Sequence, residues 1–251
     1  MGKKKKPDYD YESLNLSKEE LEIFNSNTLI NSIKVNIKSK TENQKLYWKH
    51  LKDSKKEIVI ASGSPGTGKS FLSMAYALKA LKEGEYEEIK VLIPTVEASS
   101  DLSIGYLKGT LEAKLLPYTI TTKSTIEKIL KMSDVENHDK IIKYLFDSKK
   151  INFEIMSFIR GRTFDNTLML LEEAENLSSQ EMVLALTRCG KNSKIVISGD
   201  SRQSDRNYRG HCTGLEHALD KLKAFDEVAT IEFTDEDVVR NGLITKILKV
   251  W

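Results

Sequence analysis

The sequence predicts an α/β fold in which a mostly parallel sheet is covered by helices on both faces. The chain has 251 residues, the size of one large α/β domain with short appendages. Short apolar runs alternate with segments whose apolar residues recur at helical spacing, which is typical of parallel strands joined by crossover helices. A glycine-rich loop follows the first of these apolar runs directly. Together these observations indicate the fold class.

Six apolar runs are predicted to be strands, at residues 57–62, 89–95, 151–155, 167–172, 193–198 and 228–233. Helices are predicted beside them, at residues 41–51, 71–84, 179–189, 215–224 and 235–248. A lysine-rich stretch interrupts the alternation, and we expect a helical insertion there, at about residues 119–150. Residues 1–38 are polar and are predicted to be an N-terminal extension, which leaves residues 39–251 as the main domain.

Composition excludes several classes of protein. No apolar run approaches the roughly 20 residues that a transmembrane helix needs, and the basic N-terminus lacks the apolar stretch of a secretory signal. The two cysteines, Cys189 and Cys212, are too few for a disulfide framework and lack metal-ligand spacing. We therefore expect a cytoplasmic protein without a membrane partner. The net charge of +2 neither requires nor excludes a nucleic-acid partner.

The glycine-rich loop carries the clearest chemical pattern. It matches G-x-x-x-x-G-K-[ST] in full and lies between a predicted strand and a predicted helix, as phosphate binding by loop amides requires. Lys69 is expected to reach the β- and γ-phosphates of ATP, and Ser70 to offer its hydroxyl to Mg²⁺. The residues expected to bind the nucleotide are Gly63, Ser64, Pro65, Gly66, Thr67, Gly68, Lys69, Ser70 and, directly after the loop, Phe71.

Acidic residues follow two of the later predicted strands. Glu172 and Glu173 end the fourth strand, and side chains alternate along a strand, so the two carboxylates should point in different directions. We expect Glu172 to join Ser70 in binding Mg²⁺, and Glu173 to activate the attacking water. Asp200 and Gln203 follow the fifth strand and are expected to contact the γ-phosphate or the water.

Several motifs, in this order, resemble the PhoH-like family of P-loop ATPases over about residues 38–251. The matching segments are 40–44, the P-loop at 63–70, 94–98, 107–118, 158–166, 172–176, 199–203 and 237–240. The chain departs from the family pattern at Glu172, where the family typically has Asp, and at Ile93, where it typically has Arg. The insertion is also longer than the family pattern predicts.

The resemblance implies a RecA-like P-loop NTPase fold, related to the core of superfamily 1 helicases, and an ATP hydrolase activity. It implies that Gln44 contacts adenine. Members are commonly linked to phosphate starvation, and phage-encoded members of this compact length are common. Arg160, Arg162 and Arg240 are the cations expected to stabilise charge on the transferred phosphoryl group.

Three functions remain open from the residues. The first is an ATP-driven remodeller of RNA or single-stranded DNA. Superfamily 1 motors use two such domains, so this hypothesis predicts a homo-oligomer in which Arg240 completes a neighbour's site. The second is a nucleotide-dependent switch that gates a protein partner. The third is a P-loop kinase, with the insertion as a lid, although the 199–203 motif argues against it.

Overall fold

The computed structural model describes residues 28–94, 111–200 and 213–239, with side chains from residue 115 onward in the second range. Its strands are β1 (Ile58–Gly63), β2 (Glu88–Ile93), β3 (Ile151–Ile155), β4 (Thr167–Leu171), β5 (Lys194–Gly199) and β6 (Val228–Phe233). All pair in parallel, in the order β3-β2-β4-β5-β1-β6. The predicted parallel sheet is confirmed, and its central strands β4 and β5 are buried along their whole length, as expected for strands covered on both faces.

Helices cover both faces of this sheet. The described ones are α1 (residues 28–32), α2 (Glu42–Lys52), α3 (Lys69–Glu83), α4 (Leu111–Met132), α5 (His138–Asp147), α6 (Ser179–Leu186) and α7 (Gly214–Leu222). Apolar side chains of α2, α3, α4 and α5 pack in one core cluster, and those of α6 and α7 pack in a second. None of the described helices is both long and apolar enough to cross a bilayer.

Strand register brings the ends of three strands to one edge of the sheet. Ser62 at the end of β1 pairs with Gly199 at the end of β5, and Gly63 pairs with Phe233 at the end of β6. Loops at the carboxyl ends of parallel strands form the usual ligand crevice of an open α/β sheet. The predicted site residues after β1, β4 and β5 therefore meet at the same edge.

The predicted insertion is helical and consists of α4 and α5. Helix α4 begins at Leu111, earlier than the predicted start of the insertion at about residue 119. One face of α4 is buried through Ile126, Ile129 and Leu130, which join the cluster that includes α3. The insertion thus packs on the sheet domain through its own apolar face.

The segment that precedes α2 also packs on the domain. Ile33 is fully buried in the cluster that contains α3 and α4, and Leu29, Val35 and Ile37 pack against that cluster. Thr41 then caps α2, where its hydroxyl accepts a hydrogen bond from the Gln44 amide.

The helix predicted at residues 235–248 does not begin as expected. Asp235–Asp237 form one 3₁₀ turn, after which Val238 is extended at φ −68° and ψ 112°. Because Val238 is extended, Val239 can donate a hydrogen bond to Gly66 of the P-loop. This tertiary contact outweighs the local tendency of the segment to form a helix. Gln203, Cys212, Arg240 and the rest of the predicted helix lie outside the described residues.

Candidate nucleotide-binding site

The P-loop leaves β1 at Gly63 and enters α3 at Lys69. Gly63 has φ +122°, and a Cβ there would lie 1.9 Å from the carbonyl oxygen of Phe233. Gly68, the N-cap of α3, has φ +92° and no side chain that could cap the helix. The start of α3 therefore presents backbone N–H groups at the loop, which is how helix N-termini bind phosphate.

Lys69 lies inside the loop rather than pointing away from it. Its buried Nζ donates hydrogen bonds to the carbonyl oxygens of Gly63, at 2.6 Å, and Ser64, at 2.9 Å. The ammonium charge is thereby held where a β- or γ-phosphate would meet the loop. Binding of the β- and γ-phosphates by Lys69 stays a prediction.

Glu172 and Glu173 follow β4 directly and have different surroundings. Burial raises the pKa of Glu172, and a hydrogen bond with the Ser70 hydroxyl partly offsets that rise. Glu173 is exposed and has a left-handed backbone at φ +54°, at a strain of roughly 1–3 kcal/mol. The two carboxylates therefore belong to different environments at the same strand end.

Ser70 and Glu172 form an oxygen pair of the type that Mg²⁺ prefers. Mg²⁺ is usually bound by one or two protein oxygens together with water and substrate phosphates. The Ser70 hydroxyl lowers the pKa of the Glu172 carboxyl, and both residues line the cavity together with Lys69. The residues present therefore fit this metal.

Glu175 lines the cavity and is a site residue that the sequence reasoning missed. Burial and the charge of Glu173 raise the pKa of Tyr118 on α4. Glu175 Oε2 accepts a hydrogen bond of 3.1 Å from the backbone amide of Asp200. Glu175 could have been noticed as the third acid after β4, and Tyr118 ends the segment 107–118 that resembles the family.

Gln44 links the start of α2 to the P-loop. Its Nε2 donates to the carbonyl oxygen of Thr67 at 2.8 Å, and its Oε1 accepts from the amide of Lys40 at 2.7 Å. The side chain is buried. Gln44 thus has a structural role that the sequence did not predict, and its contact with adenine stays a prediction.

The segment after β6 is tied to the same loop. The Ser64 hydroxyl donates a hydrogen bond to the Asp235 carboxylate, and the amide of Val239 donates to the carbonyl oxygen of Gly66 at 3.2 Å. The carboxylate of Asp237 accepts from Asn43 Nδ2 at 2.7 Å. The segment after β6 thus contacts the P-loop through Asp235 and Val239, and it contacts the start of α2 through Asp237.

A cavity of about 630 Å³ runs across these elements. Of the predicted site residues, those that line it are Gln44, Pro65, Gly66, Gly68, Lys69, Ser70, Phe71, Glu172, Glu173 and Asp200. Gly63, Ser64 and Thr67 belong to the loop but are buried and do not line the cavity. The structure therefore brings the phosphate loop and the acids together around one space.

The two arginines of the segment 158–166 lie elsewhere. Arg162 forms a two-point ion pair with Glu154, with N–O distances of 2.5 and 3.0 Å, and its guanidinium lies 4.9 Å from the centroid of the Phe164 ring. Among the described residues that line the cavity, neither Arg160 nor Arg162 occurs. A role for Arg162 in packing this segment against β3 accounts for its contacts better than a role in charge stabilisation at this site.

The parallel sheet, the P-loop between β1 and α3, and the acids after β4 and β5 define a RecA-like P-loop NTPase fold. A solved structure of the large terminase from a thermophilic bacteriophage, in complex with ADP, shares this fold with a TM-score of 0.50 and 15% identity. The match covers 84% of this chain and 50% of the terminase chain.

The family model for PhoH-like proteins matches residues 36–251, so the chain belongs to the PhoH-like family. It is 33% identical over 238 residues to a PhoH-like protein of Bacillus subtilis (strain 168), covering 93% of this chain and 71% of the relative. It is 31% identical over 217 residues to protein PhoH of Escherichia coli (strain K12), of which it covers 58%.

Proposed function

We propose that this chain hydrolyses ATP to ADP and phosphate in a Mg²⁺-dependent reaction. The observation that carries the proposal is the pair of carboxylates after β4, one beside the Ser70 hydroxyl and one exposed at the cavity. A P-loop alone supports nucleotide binding, but hydrolysis also needs a group that positions water and accepts its proton. The different environments of Glu172 and Glu173 suit that division of roles.

The proposed reaction is an in-line attack of water on the γ-phosphorus. The oxygen of water forms a bond to phosphorus, the bond to the β–γ bridging oxygen breaks, and the proton of water passes to Glu173. Lys69 and the loop amides bind the phosphate oxygens. Mg²⁺, when bound by Ser70 and Glu172, neutralises charge on the β- and γ-phosphates.

Asp200 and Gln203 are proposed to contact the γ-phosphate or the attacking water. Asp200 is buried at the cavity, and its backbone is tied to Glu175. Loss of the γ-phosphate would remove a contact of Asp200, and the hydrogen bond to Glu175 would transmit this change to the end of β4. Such a difference between the ATP and ADP states is what couples hydrolysis to a conformational change.

We further propose RNA or single-stranded DNA as the partner whose remodelling uses this hydrolysis. The relation of the family to helicase cores supports this partner. Steady-state release of phosphate, measured with and without each nucleic acid, tests it, and Lys69→Ala serves as the inactive control. Stimulation by nucleic acid is the expected result. ATP binding without phosphate release would favour a switch, and phosphate on an acceptor instead of in solution would identify a kinase.

A further inference from the structure

Helix α4 of the insertion runs along the cavity. Burial and the charge of Glu173 raise the pKa of Tyr118 on this helix. Thr125, Lys128 and Met132 line the cavity further along the same helix. With a rise of 1.5 Å per residue, Lys128 lies roughly 15 Å and Met132 roughly 21 Å from Tyr118 along the helix axis. These residues are therefore on the part of the helix that lies away from Tyr118.

The spacing of Thr125, Lys128 and Met132 puts them on one face of α4. The adjoining face of α4 is buried in the domain core through Ile126, Ile129 and Leu130. Met132 is 52% exposed although it is a large apolar residue. The Nζ of Lys128 lies 5.5 Å from the centroid of the Phe71 ring, and Phe71 follows the P-loop directly. This face of α4 thus meets the P-loop side of the cavity.

The segment 36–40 forms the other wall at this end. The amide of Asn36 donates a hydrogen bond of 2.9 Å to Ser133 Oγ, just after α4. The amide of Lys40 donates to Gln44, which in turn donates to the P-loop. Ile37, Lys38 and Lys40 line the cavity between these two anchor points. The segment 36–40 therefore spans from the end of α4 to the loop that binds phosphate.

We propose that the nucleoside portion of ATP binds between the segment 36–40 and helix α4, and that Lys128 and Met132 are nucleotide-binding residues. This inference rests on the proposed function, because the acids and the P-loop assign the triphosphate to their own part of the cavity. Met132 and Ile37 offer apolar contacts to a base, and Lys128 offers N–H donors to heteroatoms of the base or the ribose. The insertion is then part of the nucleotide site.

The test compares ATP with inorganic tripolyphosphate, which has the phosphates but no nucleoside. Each ligand is titrated into the protein by calorimetry in the presence of Mg²⁺ and at physiological salt. At this salt the screening length is about 8 Å, so removing the charge of Lys128 has little long-range effect on phosphate binding. We expect Lys128→Ala and Met132→Ala each to weaken ATP binding about five- to twentyfold. Binding of tripolyphosphate should change by less than about twofold.

Matched controls lie on the same helix. Lys131→Ala removes a lysine that is exposed and paired with Glu127. Ile120→Ala truncates an apolar residue that is 56% exposed, close to the exposure of Met132. Neither belongs to the described residues that line the cavity, so both controls should bind ATP as the parent does. Circular dichroism checks that all four variants keep the helical content of the parent.

The outcomes separate this inference from the proposed function. If ATP affinity is unchanged in Lys128→Ala and Met132→Ala, or if tripolyphosphate binding falls equally, the nucleoside does not lie on α4. If the parent binds neither ligand, the proposed function itself is wrong. Three results together support both this inference and the proposed function. The parent binds ATP, Lys69→Ala binds neither ligand, and Lys128→Ala and Met132→Ala lose affinity for ATP but not for tripolyphosphate.

Discussion

The backbone amide of Asp200 donates a hydrogen bond to Oε2 of Glu175 across 3.1 Å and so joins the ends of β4 and β5. Gly199 makes this approach possible, because a Cβ at that position would lie 2.5 Å from the same oxygen. Glu175 is therefore a positioning residue for Asp200.

Glu175→Ala should lower kcat by about 10- to 100-fold with little change in the dissociation constant of ATP, because misplacing Asp200 affects the transition state more than the ground state. Glu175→Gln should recover much of the loss, since its amide oxygen can still accept from Asp200. Single-turnover and binding measurements on both variants check this. Equal losses in the two variants would mean that the charge of Glu175, and not its hydrogen bond, is what matters.

Gln44→Ala should weaken binding of both ATP and GTP, because the Gln44 amide links the carbonyl of Thr67 to the amide of Lys40. The loss should be about five- to tenfold greater for ATP, since the amide also suits the donor and acceptor edge of adenine. Competition titrations with the two nucleotides measure the difference. A loss of the same size for both would leave Gln44 with its structural role alone.

Arg240→Ala should lower kcat by about 10³-fold or more while ATP binding changes little, because a cation near the γ-phosphate meets charge that develops in the transition state. The residue before it, Val239, donates to Gly66 of the same chain. Arg240 itself lies outside the described residues, so its action in a neighbour's site stays a prediction.

Mixing Arg240→Ala with Lys69→Ala distinguishes the two possibilities. No recovery of activity is expected if Arg240 acts within its chain. Recovery on mixing, together with specific activity that rises with protein concentration, would instead establish a homo-oligomer with shared sites.

The buried Lys194 donates hydrogen bonds to the carbonyl oxygens of Leu51, at 2.6 Å, and Asp53, at 3.0 Å, beyond the end of α2. Burial lowers the pKa of Lys194 from 10.5 to about 8, and the charges of Glu85 and Asp53 oppose this only in part. The unfolded chain therefore binds this proton more tightly than the folded chain between these two pH values. Its contribution to the free energy of unfolding rises as the pH increases through that interval.

The test is the difference in free energy of unfolding between the parent and Lys194→Met. This difference, parent minus variant, should increase by on the order of 1–3 kcal/mol from pH 8 to pH 10.5. Urea denaturation at both pH values measures it, and the other lysines are common to the two proteins. A difference that stays constant would mean that Lys194 titrates in the fold as it does in the unfolded chain.

The sheet and the phosphate loop could be predicted because their causes are local. Continuously apolar runs such as Thr167–Leu171 have few alternatives to a buried strand, and the glycines of the loop mark its turn. The 3₁₀ turn at Asp235–Asp237 could not be predicted, because it depends on contacts with the distant Ser64 and Gly66. The placement of Lys128 and Met132 at the cavity likewise depends on how α4 packs against α3.

Release of phosphate from MgATP by the parent and by Glu173→Gln, with ATP affinity measured on the same preparations, tests the central claim most directly. The amide keeps the shape of the side chain but cannot accept the proton of water. The proposed mechanism predicts Mg²⁺-dependent release by the parent and a loss of roughly 10²- to 10⁴-fold in Glu173→Gln, with ATP binding unchanged. A parent that binds MgATP without releasing phosphate, or a Glu173→Gln variant with the turnover of the parent, would contradict it.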